Sequence, residues 1–182
     1  MSVLINQTNN KMEINFLSVI LAAMVPMIMG FVWYHDKVFG NTWRNELGLT
    51  TEYLQKGNMA ILFGLAFVMS LLMAMGQTSI AIHDSFIHGA LYYVTNKTMI
   101  PEPGSEAAKW LDYYTTTIAS TNHRFSHGAT HGFLIAGIFV AVPVLVTDAL
   151  FERRSFKFIM IKIGFWLISL SLMGGIIASM AK

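Results

Sequence analysis

Four long apolar runs divide the chain: INFLSVILAAMVPMIMGFVWY (about 14–34), NMAILFGLAFVMSLLMAMGQTSIAI (58–82), SHGATHGFLIAGIFVAVPVLVTDALF (126–151) and FKFIMIKIGFWLISLSLMGGIIASM (156–180). Each is long enough, at 1.5 Å per residue, for a helix to cross a hydrocarbon layer of about 30 Å. The runs lack the apolar–polar alternation of strands, and an open strand leaves its backbone unsatisfied in lipid. The pattern predicts an all-α membrane protein, with four transmembrane helices in a compact bundle. Residues 1–182 form a single transmembrane domain, with an extramembrane loop at about 89–122.

The polar stretches carry finer signals. Thr50 or Thr51 can cap a helix with Glu52 in its first turn, so the second helix is expected to begin before the membrane, near Thr51, ahead of its span at 58–82. PEPG at 101–104 interrupts structure. SEAAKWLDYYTTTIAST then predicts a short surface helix capped by Ser105, with Trp110, Leu111, Tyr114 and Ile118 against the membrane surface or the bundle. Trp33, Tyr34 and Trp43 suit the membrane–water boundary.

Every span carries small residues four apart: Ala22, Pro26 and Gly30; Ala60 and Gly64; Gly128, Gly132 and Ala136; Ser171, Gly175 and Ser179. Lipid gives helices no hydrophobic reason to pair, so close backbone approach across such residues supplies the contact. Gly128, Gly132, Gly64 and Gly175 are therefore candidate helix-packing positions. VPMIMGFVW (25–33) resembles VPVLVTDAL (142–150), and GLAFVMSLLM (64–73) resembles GFWLISLSLM (164–173), which suggests a 2+2 internal repeat.

Composition agrees. Of 182 residues 12% are charged, against about 25% in soluble domains, and mean hydropathy is +0.54. A net charge of +2 gives no footprint for nucleic acid. The absence of cysteine excludes disulfides, thiolate metal sites and cysteine nucleophiles. The expected partners are the lipid bilayer and a homo-oligomer or larger membrane complex. Lys37, Arg44, Lys56, Arg153, Arg154 and Lys157 fall in the first and third connections; Lys11, Lys97, Lys109, Arg124 and Lys182 fall on the other side. The positive-inside rule then places both termini in the periplasm.

GFVWYHDKVFGNTW, GLTTEYLQKGNMA and ALFERRSFKFIMIKIGFWLISLSLMGG resemble the bacterial membrane family catalogued as domain of unknown function 1761. HGATHG is similar to members from Bacteroidetes-type bacteria. The resemblance covers nearly the whole chain, and implies a four-helix fold in a bacterial inner membrane. It implies no activity. Where many members carry Asn after Thr147, this chain has Asp148.

Polar residues inside spans need partners. Lys162 and Asp148 flank the short third connection, and are expected to form a structural ion pair. Five of six histidines gather near one membrane face: His83, His88, His123, His127 and His131. Residues i and i+4 share a helix face. If the second helix continues far enough, Asp84 and His88 face His127 and His131, with His83 and His123 in reach. Neutral imidazole and carboxylate suit a divalent transition metal, zinc or iron. Histidines at such places also serve as packing groups bonded to a carbonyl or hydroxyl. The thirteen methionines are spread over all spans as core fillers rather than a copper site.

No phosphate loop or nucleophile–base set is identifiable, so no catalytic residue is assigned. The leading expectation is a non-enzymatic helix-packing accessory or scaffold subunit. The alternatives are a metal-binding enzyme or sensor using the histidines, and a small-solute or proton transporter acting as an oligomer, with Pro26 and Pro143 breaking its helices.

Overall fold

Asn15 starts the first span by accepting hydrogen bonds from the Leu17 and Ser18 amides, and α1 runs Phe16–Trp33. The computed structural model describes residues 14–98 and 100–181; Lys11 and Lys182, used above to orient the chain, lie outside them. Two short helices follow, α2 (Gly40–Leu47) and α3 (Thr51–Gln55), the latter capped by Thr50. The second helix does not run on unbroken from Thr51 as expected, although the span itself starts within a residue of its predicted place. The chain breaks after α3, and Asn58 caps a new helix, α4 (Met59–Ala81), by accepting from the Ile61 amide. The third span covers Phe125–Phe151 and the fourth, α10, covers Phe156–Ser179 behind a Ser155 cap. All four predicted spans are therefore present as helices long and apolar enough to cross a membrane.

The connection between the second and third spans carries the predicted surface helix after Ser105 and a further helix ahead of it. After extended Ile82 and a turn at His83, α5 runs Asp84–Val94. Ser105 caps α6 (Glu106–Tyr113), which continues in wider i→i+5 turns over Tyr114–Ile118 and ends in α7 (Ala119–Asn122). The third span starts as α8 (Phe125–His131), widens into i→i+5 turns from Gly132 to Ala141, and returns to ordinary winding in α9 (Val142–Phe151). Pro143 explains part of this: it has no amide hydrogen to offer the carbonyl four residues earlier, at Phe139.

The fourth span is the centre of the bundle. In its most apolar window 44% of residues are buried, against 11% for α4, so the two are not equivalently enclosed. α10 is tied to α1 at both ends. Asn15 Nδ2 donates to the Met180 carbonyl at 2.8 Å, and Trp33 Nε1 donates to the Ile161 carbonyl at 3.0 Å. It is tied to α8 by Ser171 Oγ donating to the Ala129 carbonyl at 3.0 Å.

The glycines set the closest approach. A Cβ on Gly128 would collide with the Gly174 carbonyl and Ala178, and one on Gly174 would collide with the Gly128 carbonyl. Gly132 stands likewise against the Leu170 carbonyl, while Gly175 receives the Phe125 ring. Gly64 does not share this role, since nothing lies within 4 Å of the place its Cβ would take. The buried stripe of α4 is Ser70, Ala74, Gln77 and Ala81 instead. Periodic small residues mark two possible faces of a helix, and here the more polar one turns inward.

The expected Lys162–Asp148 pair is not formed. Among the described residues the ion pairs are Arg44–Asp36, Lys109–Glu106, His123–Asp84 and Arg154–Glu152. Ala149 is the buried residue of α9, which leaves its neighbour Asp148 on the exposed side. Lys162 Nζ stands 5.4 Å from the centre of the Phe158 ring on its own helix, a cation–π distance.

Candidate metal centre

α4 ends at Ala81, and the turn that follows puts the His83 ring beside those of α8. His127 and His131, one turn apart on α8, face it. His83 Nε2 and His127 Nε2 lie 3.2 Å apart. The three ring centres are separated by 5.0 Å (83–127), 5.1 Å (83–131) and 4.4 Å (127–131). One ring nitrogen from each residue falls within 4.8 Å of the other two, and all three side chains are half-buried. His131 Nδ1 is buried with no hydrogen-bond partner, a state that ordinarily costs free energy unless something meets the nitrogen.

The backbone fixes this level of the bundle. Gly128, next to His127, is locked on Gly174 of α10. The Gln77 side chain of α4 closes on the same crossing, with Oε1 3.1 Å from the place a Gly174 Cβ would take. Both polar atoms of the Gln77 amide are buried without a partner. Helices α4, α8 and α10 thus meet at one point, and the two rings of α8 converge with that of His83, in the turn after α4.

A second polar group adjoins the first through the chain. Asp84 accepts a 2.6 Å hydrogen bond from Tyr114 Oη and lies 3.1 Å from His123 Nε2. Tyr114 is buried with Ile87, Leu91, Leu111 and Ala119 in a small core between α5 and α6–α7. Burial, then the bond to the Asp84 carboxylate, push the Tyr114 phenol above the ordinary tyrosine range. The phenol therefore stays protonated at neutral pH and remains a donor. Because its folded-state value is raised, its contribution is complete below about pH 10, the unfolded value, and is lost as pH rises towards the folded one. Tyr114→Phe is expected to cost about 1.5–3 kcal/mol at pH 7, as for a bond to a charged group. Thermal melts in detergent would show the difference, which should narrow above pH 10. Equal melting at neutral pH would remove this bond from the account.

The family described as "Protein of unknown function (DUF1761)" matches residues 17–178, which reach into all four spans and leave out only the first residue of the first and the last residue of the fourth. The chain belongs to this family. No curated protein and no solved structure matches it.

In this DUF1761 chain, the ligand set expected from sequence is assembled differently. His127 and His131 do meet, but their partner is His83. His88, half-buried on α5, is not part of the group, and Asp84 is turned towards His123 and Tyr114. The physical reason is the extended residue Ile82. It redirects α5, so the residues beyond it do not continue the face of α4. Tyr114 was not legible as a site residue: it sits 30 positions from Asp84 in an aromatic stretch that reads as surface helix.

Proposed function

We propose that this DUF1761 protein is a metal-binding protein of the bacterial inner membrane, holding a divalent transition ion, zinc or iron, through His83, His127 and His131. The convergence of three imidazole nitrogens within 4.8 Å carries the reading. Neutral imidazole is a good ligand for zinc, copper, iron and nickel, and the absence of thiolates removes the softest choices. Three protein ligands leave a fourth position for water or a substrate atom, the arrangement of zinc sites that bind or react rather than merely brace a fold. The unpartnered Nδ1 of His131 fits the same account.

The basic residues of the short connections, Lys37, Arg44, Lys56, Arg153, Arg154 and Lys157, favour a cytoplasmic position for that end of the bundle. The histidines then stand at the periplasmic end, with both termini. The accessory-subunit reading rested on small-residue stripes. Of these, Gly128 and Gly132 stand against α10 and Gly175 against Phe125 of the same chain, so their packing is accounted for within it.

The test is elemental analysis of protein purified without a histidine tag, joined to melts with added zinc or iron. About one ion per chain is expected. An excess of 100 times the dissociation constant should stabilise by about 2.7 kcal/mol. Metal-free, well-folded protein whose melting ignores both ions would end the proposal.

A further inference from the structure

α5, DSFIHGALYYV, is apolar on both sides. Ile87 and Leu91 face the small core with Leu111, Tyr114 and Ala119. On the other side Phe86, Tyr93 and Val94 are 75%, 85% and 69% exposed, with Gly89 and Ala90 exposed between them. The positions run i, i+3, i+4, i+7, i+8, which is one continuous helix face. An exposed apolar helix face of this extent is ordinarily covered by something. Its 11 residues rise about 16 Å at 1.5 Å each, roughly half of a hydrocarbon core. α5 therefore cannot span.

Its place in the chain says what covers it. α4 crosses the membrane and ends at Ala81; only Ile82 and His83 separate it from α5. The helix thus begins where the span surfaces. Its one formally charged side chain, Asp84, is occupied by Tyr114 and His123, its His88 is half-buried, and it has no Lys or Arg. The neighbouring α6 exposes Trp110 and Tyr113, the residue types that settle at headgroup level. We propose that α5 lies in the bilayer interface, with Phe86, Tyr93 and Val94 seated among the outer ends of the acyl chains. The occupant of the face is lipid. Seated this way, α5 holds His83 and Asp84 at headgroup depth. The inference stands apart from the metal reading, since none of Phe86, Tyr93 and Val94 belongs to the histidine group.

The chain has no cysteine, so single substitutions accept a spin label without background. Phe86→Cys, Tyr93→Cys and Val94→Cys would be made in the full chain, labelled, and placed in phosphatidylcholine–phosphatidylglycerol nanodiscs. Collision with oxygen, which concentrates in lipid, is compared with collision with a water-soluble nickel chelate. Phe139→Cys, exposed within the third span, gives the lipid reference, and Glu106→Cys on α6 gives the aqueous one. All three positions should favour oxygen, as Phe139→Cys does, at a depth of about 5–10 Å in the headgroup–acyl boundary. Nickel accessibility equal to that of Glu106→Cys would overturn the proposal. Shielding from both reagents would also overturn it, because a protein surface, such as a second copy, would then cover the face. Three separate positions keep the result readable if one variant fails to fold.

Discussion

Gly128→Leu and Gly174→Leu will fail to give a stable, monodisperse protein, while Gly64→Leu will behave like the unmodified chain. At Gly128 the added Cβ meets the Gly174 carbonyl, and at Gly174 it meets the Gly128 carbonyl. Backbone stands on both sides of the contact, so no rotamer change relieves it. Overpacking typically costs about 1–3 kcal/mol where side chains can shift; here two helices must separate, and the cost belongs at or above the upper end. Against a total stability of about 5–15 kcal/mol that is a large share. Separation also removes dispersion contacts, which lipid does not replace with a hydrophobic gain. Gly64, with nothing within 4 Å, has room for a larger side chain. Size-exclusion profiles and melting temperatures in mild detergent read the outcome. If Gly128→Leu proves as stable as Gly64→Leu, the α8–α10 contact is not the pivot of the fold.

His83→Ala, His127→Ala and His131→Ala will each weaken metal binding by about two orders of magnitude, and His88→Ala will leave it unchanged. Four-ligand structural zinc sites bind with about 10–16 kcal/mol. One ligand's share is roughly 3 kcal/mol, or about 100-fold at 1.4 kcal/mol per decade. His88 has the same chemistry and lies only five residues from His83, but it sits within α5, past the turn that holds His83, and outside the group. That makes it a stringent control for non-specific imidazole binding. Competition titration against a chromophoric chelator measures all four variants. If His88→Ala matched His127→Ala in its loss, the site would be elsewhere on the histidine-rich face.

The spans were legible because length and apolarity alone decide them, and each predicted boundary lies within about two residues of the observed one, the usual fraying of helix ends. Ser105 and Thr50 were legible as caps because a side-chain oxygen ahead of an acidic first turn has a direct mechanism. The pairing of His127 with His131 followed from helix geometry within one element. The choice between His83 and His88 did not. It depends on where α4 stops, and no proline or glycine interrupts QTSIAIHDSFIH; a single extended isoleucine does it. α5 was hidden for another reason. It is apolar on both faces, so it shows no two-sided pattern, and it is too short to count as a span. The Lys162–Asp148 expectation used proximity along the hairpin but not the angle around α9, where Ala149 takes the inward position. Gly64 failed in the same way, since spacing finds a stripe without telling which side of the helix faces protein.

The ten-residue stretch of wide turns from Gly132 to Ala141 acts as a phase shifter within the third span. A wide turn holds more residues, so each residue advances less around the axis than the 100° of ordinary winding. The angle between His131 above the stretch and Asp148 below it is therefore set by how many residues the stretch contains, not by what they are. Substitutions that keep the length leave the two ends in register. Removing one residue while keeping the wide turns would swing the lower half by one residue's advance, somewhat less than the 100° of ordinary winding. Ala149 would then leave the bundle's inward face while the histidines stayed in place. Length, more than composition, is the property this part of the chain has to keep.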